Sequence, residues 1–222
     1  TFRPHSGLRE PRELLTGPDW EDMVATMTKA LSTALGTIRG SIRKVRILGN
    51  AQAGLMWVVG NHFDRTTDAD LYVYGRDGLP ITNKGQVRHT SLTGGNPDRA
   101  KLMPATSSNL SSNQSQIALG VGSQERYAQA VQQAVPQLPL FWVDEPGFIA
   151  DSQQAMELVA DIVASIERLR REHGVRELTL FWTTANHVAV LAAANLTPHV
   201  IPTIQFMEWD HARAEYVHLP MP

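Results

Sequence analysis

Apolar residues occur along the chain in two kinds of run, and the alternation of the two predicts an α/β fold. Short runs rich in β-branched and aromatic residues, such as Leu178–Trp182, predict buried strands. Longer stretches with apolar residues at helical spacing predict helices, and Asp151–His173 is the clearest, with Asp151 as amino-terminal cap and Gly174 as stop. Strands that alternate with helices indicate mainly parallel sheets with helices on their faces.

The order strand, polar turn, small-residue helix, strand occurs twice with nearly the same spacing, which predicts an internal duplication of a βαβ unit. We therefore expect two pseudo-symmetric, Rossmann-like halves, 19–110 and 111–222, after a linker or arm at 1–18. The two copies are Val45–Leu48, Gly49–Gln52, Ala53–Phe63 and Ala69–Tyr74, and then Leu178–Trp182, Thr183–Asn186, His187–Leu196 and Ile201–Trp209.

The remaining segments fill out the two halves. An amphipathic helix is predicted over Asp19–Ile38. Residues 78–114 contain a Gly-Gly-Asn-Pro turn and a Ser/Asn-rich run, and are predicted to form a long loop. Beyond this loop we expect a strand, a helix and a strand at Gln116–Val121, Glu125–Val135 and Leu140–Val143.

Composition excludes several classes of function. A formal net charge of −2 argues against binding to duplex DNA, which calls for a strongly basic surface. The chain has no cysteine, so a disulfide framework and a thiolate metal site are both excluded. We find neither a signal-peptide pattern nor an apolar run long enough to cross a bilayer, and we expect a cytoplasmic protein with no membrane partner.

Sequence motifs for catalysis and cofactor binding are missing. The chain contains no G-x-x-x-x-G-K-[ST], G-x-G-x-x-G, G-x-S-x-G or H-E-x-x-H pattern, so we expect no cofactor, no metal and no catalytic residue. The acidic pair Asp144-Glu145 follows a strand and can serve acid/base chemistry, but capping of a turn is the more frequent role of such residues.

The two polar turns that precede helices favour binding. A helix amino terminus presents unpaired N–H groups and a partial positive charge, which suit anions and phosphate above all. Neutral side chains in the turns can add hydrogen bonds to base edges or ribose hydroxyls: Asn50, Gln52, Thr183, Thr184 and Asn186.

Aromatic and basic residues follow the same strands. Tyr72, Tyr74, Trp182 and Trp209 end strands, where they can stack on bases for about 1–3 kcal/mol per base or simply seal the rim of the sheet. Arg76 and Lys84 can neutralise phosphates or remain solvated surface charges.

The paired segments VRILGNAQAGLMWVVGNHF…LYVYGRDG and LTLFWTTANHVAVLAAANL…IQFMEWD…YVHL resemble the SAVED domain, the sensor of CBASS and some CRISPR-linked antiviral effectors. This resemblance implies two fused CARF-like halves that bind a cyclic oligonucleotide between them. By position, it implies a pocket formed by Asn50, Ala51, Gln52, Tyr74 and Arg76 of one half, and by Trp182, Thr183, Thr184, Asn186, His187 and Trp209 of the other, with Lys84 as a further cation. SAVED modules are generally fused to an effector such as a TIR NADase, a nuclease or a protease, and a chain that starts at Thr1 fits an excised sensor, for example from a TIR-SAVED protein.

Three hypotheses of function follow. The leading one is an antiviral sensor that binds a cyclic tri- or tetra-adenylate-like messenger, such as cyclic tri-AMP, and oligomerises or forms filaments to activate a fused or associated effector. The alternative is a ring-nuclease-like enzyme that cleaves the same messenger, with His187 as base and Lys84 or Arg76 stabilising the transition state. The third is an assembly module without a ligand, in which the basic amino half stacks head-to-tail on the acidic carboxyl half. Residues 1–103 hold 14 Lys/Arg against 10 Asp/Glu, and residues 104–222 hold 6 against 12.

Overall fold

The computed structural model describes residues 14–37, 44–48, 51–63, 70–74, 80–82, 95–103, 114–145, 149, 151–196, 203–210 and 213–221. The helices are α1 (Gly17–Thr37), α2 (Ala53–Asn61), α3 (Gln124–Ala134), α4 (Ser152–His173) and α5 (Asn186–Asn195). The strands are β1 (Lys44–Leu48), β2 (Asp70–Tyr74), β3 (Pro80–Thr82), β4 (Ala100–Leu102), β5 (Gln116–Gly122), β6 (Leu140–Asp144), β7 (Glu177–Trp182), β8 (Thr203–Asp210) and β9 (Glu215–Leu219).

The strands form two mainly parallel sheets, which confirms the predicted α/β class. The smaller sheet has the order β1-β2-β3, and the larger has the order β4-β6-β5-β7-β8-β9. Each interior pairing is parallel, and β3, β4 and β9 add antiparallel strands at the edges. Helices precede or connect the parallel strands, as that arrangement requires.

The predicted duplication is visible in the order and pairing of the elements. The series α1-β1-α2-β2-β3 has the same order as α4-β7-α5-β8-β9. In both series the first strand pairs parallel with the second, Lys44 with Asp70 and Glu177 with Thr203, and the second pairs antiparallel with the third. The two series therefore repeat one supersecondary unit, although the sheets around them differ in size.

The two small-residue helices α2 and α5 pack against each other at very close range. A Cβ atom at Gly60 of α2 would collide with the carbonyl oxygen of Val190 and lie 2.7 Å from the Cβ of Ala193 in α5. Only glycine at this position lets the backbones approach so closely, which explains why both helices are rich in small residues. α2 also contacts β8, and α5 contacts β2, so each helix reaches the sheet of the other unit.

One buried core runs through both sheets. The apolar stripe of α4, including Val159 and Ile162, packs on one face of the larger sheet together with α5, α2 and the buried residues Leu71 and Val73 of β2. A second, smaller cluster on the other face joins α3 to the larger sheet, and its members are Ala118, Ala128, Val131, Val135, Leu140, Trp142 and Phe181. No helix among the residues described above is long and apolar enough to cross a membrane.

The structure corrects the prediction of a loop over 78–114. This segment contributes β3, a single 3-10 turn at Pro97–Arg99, and β4, which pairs antiparallel with β6. Asp161 of α4 accepts a hydrogen bond from the backbone N–H of Asn96 at 2.7 Å and forms an ion pair with Arg99 at 3.4 Å. Because strands of three residues carry little periodicity and these contacts are distant in sequence, local patterning missed them.

The two sheets divide between β3 and β4, and the boundary between halves at 110/111 stays a prediction. β3, in the smaller sheet, ends at Thr82, and β4, in the larger sheet, begins at Ala100. The predicted limits of α4 are confirmed: Asp151 accepts a hydrogen bond from the N–H of Gln154 at 2.9 Å, and Gly174 ends the helix in the left-handed conformation. The final strand β9 was not predicted as an element.

Candidate ligand-binding site

The larger sheet has a topological switch point between β5 and β7. From β5 the chain passes through α3 to β6 on one side, and from β7 it passes through α5 to β8 on the other. Ligands of open α/β sheets bind at the carboxyl ends of the strands at such a point, because the connections diverge there and leave a crevice. The candidate site therefore lies where β5, β6 and β7 end.

Gly122 joins the ends of these three strands. Its φ of 127° is rarely adopted by residues with side chains, and a Cβ here would collide with the Oγ1 of Thr183. The carbonyl oxygen of Gly122 accepts hydrogen bonds from the N–H of Glu145 at 3.1 Å and from the Nε1 of Trp142 at 2.7 Å. The Oγ1 of Thr183 in turn donates to the carbonyl oxygen of Val121 at 2.8 Å. Backbone and side-chain bonds thus hold the ends of these three strands in one arrangement.

The two acidic residues at the end of β6 have different hydrogen-bond partners. The Oδ1 of Asp144 accepts a hydrogen bond from the N–H of Gln124 at 3.0 Å and so caps α3, in keeping with the capping role considered from sequence. The half-buried Glu145 instead accepts a hydrogen bond from the Oγ1 of Thr184 in the turn after β7. Burial raises the pKa of Glu145, the Thr184 bond opposes that rise, and the neighbouring charge of Asp144 adds to it.

The polar turns of the two units meet. The Nδ2 of Asn186, at the first residue of α5, donates a hydrogen bond to the carbonyl oxygen of Ala51 at 2.6 Å. Ala51 precedes α2, so this bond joins the turn before one helix to the start of the other. The two turns that the sequence predicted to face one ligand are therefore adjacent.

The amino terminus of α2 is already occupied by a carboxyl group of the chain, and this finding corrects the expectation that both helix starts are available to phosphate. The carboxylate of Glu208 in β8 accepts hydrogen bonds from the N–H of Ala53 at 3.1 Å and of Gly54 at 3.2 Å. Burial raises the pKa of Glu208, and the two N–H bonds partly offset that rise. The chain itself thus supplies the negative charge that this terminus favours.

Gln52 is also occupied within the chain. Its side-chain Oε1 accepts a hydrogen bond from the N–H of Leu15 at 2.9 Å, and its Nε2 donates to the carbonyl oxygen of Leu15 at 3.3 Å. The amide therefore fastens the segment before α1 to the turn before α2. Both polar atoms of the Gln52 amide are therefore bonded within the chain, and its contact with a ligand stays a prediction.

Trp182 does not offer the exposed stacking face that was expected of it. Only 3% of the residue is exposed, and its ring packs against Trp57 and Phe206 at centroid distances of 5.9 and 6.2 Å. No acceptor among the described residues binds its buried Nε1. The large apolar ring fills the core between α2 and β8. This packing role is closer to the predicted sealing of the sheet rim than to stacking on a base.

The other predicted residues occupy more open positions. Trp209 is half-buried and meets the ring of Tyr216 edge-on at 5.0 Å. Tyr74, also half-buried, ends β2 in register with Leu48, which is 73% exposed. His187 lies half-buried in the first turn of α5. Asn50, Arg76 and Lys84 lie outside the described residues.

Arg99 is a cation at this edge that sequence reasoning did not single out. Its Nη2 donates to the carbonyl oxygen of Asp144 at 2.8 Å, and its Nη1 forms the ion pair with Asp161. Its place next to the end of β6 follows from the antiparallel pairing of β4 with β6, for which the local sequence carries no signal. Within the described ranges, no group of three or more His, Asp or Glu side chains has the arrangement of a metal site.

Comparison with known proteins places this geometry in a recognised fold. No family model matches the chain, and no curated protein matches it. Among solved structures, the Cap4 SAVED/CARF-domain receptor of Acinetobacter baumannii with the cyclic trinucleotide 2′3′3′-cAAA matches with a TM-score of 0.71 and 16% identity, over 91% of this chain and 43% of that one. The same receptor with 3′3′3′-cAAA gives the same values, and the Moraxella osloensis Cap4 receptor matches with a TM-score of 0.66 and 14% identity, over 92% and 42%.

The chain therefore has the fold of the SAVED/CARF-domain receptors, and the resemblance predicted from the sequence is confirmed at the level of the fold. The chain spans less than half the length of these solved receptors.

Proposed function

We propose that this chain is the sensor module of an antiviral defence system and binds a cyclic oligonucleotide messenger of the cyclic tri- or tetra-adenylate class. The observation that carries the proposal is the hydrogen bond between Asn186 and Ala51, which brings the polar turns of the two repeated units together. A ligand at this point contacts both units at once. The fold shared with receptors solved with cyclic trinucleotides supports the same ligand class.

The chemistry of the turns fits such a ligand. The start of α5 carries the partial positive charge of a helix amino terminus, which favours a phosphate. Beside it, the hydroxyls of Thr183 and Thr184 direct their hydrogens to acceptors within the chain, so their oxygens can accept hydrogen bonds from other groups of the ligand. At α2 the equivalent charge is neutralised by Glu208, so we assign the phosphate contact to the α5 side. The pocket is then asymmetric in charge, although the fold repeats.

Ligand binding in this proposal promotes self-association, which activates a fused or associated effector in the cytoplasm. A ligand held between two repeated units can change their relative position, and such a change can expose or align a surface for a second copy. The solved receptors of the same fold are more than twice as long as the region they share with this chain, which leaves room for an additional domain in a related architecture.

The proposal is tested by thermal unfolding with cyclic tri-AMP in the two linkages 3′3′3′ and 2′3′3′, cyclic tetra-AMP, and linear tri-AMP as control. Binding at a hundred times the dissociation constant adds about 2.7 kcal/mol to the free energy of unfolding. Sedimentation with and without the stabilising ring measures self-association. Failure of every ring to stabilise the chain would contradict the proposal, and linear products after long incubation would favour the ring-nuclease alternative instead.

A pair of threonine variants locates the site. Thr184→Val removes the hydroxyl at the switch point. Thr203→Val removes a hydroxyl from the exposed first residue of β8, at the amino ends of the parallel strands and so away from the candidate site. We expect Thr184→Val to weaken ring binding roughly tenfold, the effect of one or two lost hydrogen bonds, and Thr203→Val to leave it unchanged.

A further inference from the structure

Glu145 is held in place from two sides at the switch point. Its backbone N–H donates to the carbonyl oxygen of Gly122 at the end of β5, at 3.1 Å. Its carboxylate accepts a hydrogen bond from Thr184 in the turn after β7. The side chain is therefore oriented by the strand ends that define the crevice, and is not a loosely placed surface charge.

The charge of Glu145 has no partner of opposite sign in the described part of the chain. No lysine, arginine or histidine described by the structure forms an ion pair with it. Oε2 accepts the Thr184 bond, and Oε1 has no hydrogen-bond donor among the same residues. A half-buried carboxylate in this position offers an acceptor to a ligand and repels phosphate.

Thr184 adds a second acceptor beside the first. Its hydroxyl hydrogen is directed to Glu145, so its oxygen can only accept a further hydrogen bond. A ligand amine has two N–H donors and can satisfy both oxygens, whereas a ribose hydroxyl has one donor and can satisfy only one. Exocyclic amines of nucleobases are the groups of a cyclic oligonucleotide that carry this pair of donors.

We infer that Glu145, positioned by Thr184, determines base specificity by accepting a hydrogen bond from the exocyclic amine of a ligand base. This inference rests on the proposed function and adds the feature of the ligand that the site reads. The α5 side binds phosphate, and Glu145 selects amine-bearing bases such as adenine. A carboxylate serves this purpose because a charge-assisted hydrogen bond is stronger than a neutral one.

The test compares calorimetric affinities for 3′3′3′-linked cyclic tri-AMP and for the same ring with purine riboside in place of each adenosine, which removes only the amines. We expect the wild-type chain to prefer the adenine ring by roughly tenfold to a hundredfold, the range of a hydrogen bond to a charged group. Glu145→Ala should bind both rings with nearly equal affinity. Glu145→Gln retains a neutral acceptor oxygen and should keep part of the preference.

Glu172→Ala is the matched control, since it removes the same charge from an exposed position at the end of α4. It should retain the full preference. Equal wild-type affinities for the two rings would overturn the inference while the receptor proposal stands, and so would a preference that survives Glu145→Ala. A ring of 2′-deoxyadenosines that alone loses affinity would assign the contact to a hydroxyl and overturn it too. Absence of binding by any ring would instead remove the receptor proposal on which the inference rests.

Discussion

At the scale of the residue, side chains with the same apparent chemistry serve different purposes here. Trp182 and Trp209 both end strands of the second unit, yet Trp182 is buried between α2 and β8 while Trp209 remains half-exposed. Asp144 and Glu145 are neighbours, yet one caps α3 and the other contacts Thr184. Trp182 belongs to the large core, whereas Trp209 meets Tyr216, which packs against the smaller cluster on the other face of the sheet. Glu145 differs from Asp144 because it lies beyond the last residue of β6.

Trp182→Ala is expected to act on stability, because the indole fills space between Trp57 and Phe206. Truncation of a buried tryptophan costs about 3–5 kcal/mol, and Trp182→Phe, which keeps an aromatic ring there, should cost much less. Urea unfolding of both variants measures the difference. Ring affinity should be unaffected by Trp182→Phe. A stable Trp182→Ala protein that has lost only ligand binding would contradict the packing role.

At the scale of the element, the close crossing of α2 and α5 determines how the repeated units fit together. Both helices are rich in small residues, and the absence of a side chain at Gly60 lets its backbone approach Val190. Turns at the two helix starts are brought together by this crossing, as the bond between Asn186 and Ala51 indicates. The candidate site therefore depends on the close crossing of α2 and α5.

Two Gly→Ala substitutions distinguish the effect of the close α2–α5 crossing on stability from the effect of helix propensity. Gly60→Ala places a methyl group against the backbone of α5 and should destabilise the chain by about 1–3 kcal/mol through overpacking. Gly36→Ala lies in α1, where a Cβ meets no atom within 4 Å, and should stabilise by up to ~1 kcal/mol through helix propensity. Chemical denaturation of both variants measures the change in the free energy of unfolding, which should be a decrease for Gly60→Ala and an increase for Gly36→Ala. A stabilising Gly60→Ala would contradict the close approach.

At the scale of the whole molecule, the two sheets share one core and are also joined by Glu208. This residue belongs to β8 of the larger sheet, and its carboxylate binds the start of α2 in the other unit. Trp20 of α1 adds a second long-range link, because its Nε1 donates to the carbonyl oxygen of Pro220 at 2.8 Å. The two units are therefore joined by hydrogen bonds as well as by the shared core.

The link through Glu208 predicts a pH dependence of stability. Burial raises the folded pKa of Glu208 above its unfolded value, and the two N–H bonds to the carboxylate offset only part of this rise, so the free energy of unfolding is highest below the unfolded pKa and falls as pH rises through the folded pKa. The free energy of unfolding of the wild type minus that of Glu208→Gln should therefore decrease as pH rises above 4.5, the ordinary pKa of glutamate. Urea unfolding across this range measures the difference, and an increase with pH would contradict the assignment.

Sequence patterning alone determined the class of fold and most of its elements. The period of apolar residues predicted α4 with its cap at Asp151 and its stop at Gly174, because those signals are local. The repeated strand-turn-helix order predicted two related units and their polar turns. It also indicated which turns to examine, since every such turn lies at the carboxyl end of a strand.

Tertiary structure alone decided which groups of the chain bind at those turns. Glu208 lies far from Ala53 in the sequence, yet it occupies the start of α2, and Glu145 reaches Thr184 across the switch point. Nothing in the local pattern distinguishes these two glutamates from surface charges. Hydrogen bonds between distant segments depend on how sheets and helices pack, so the polar partners of a site are decided by the folded chain and not by the period of its residues.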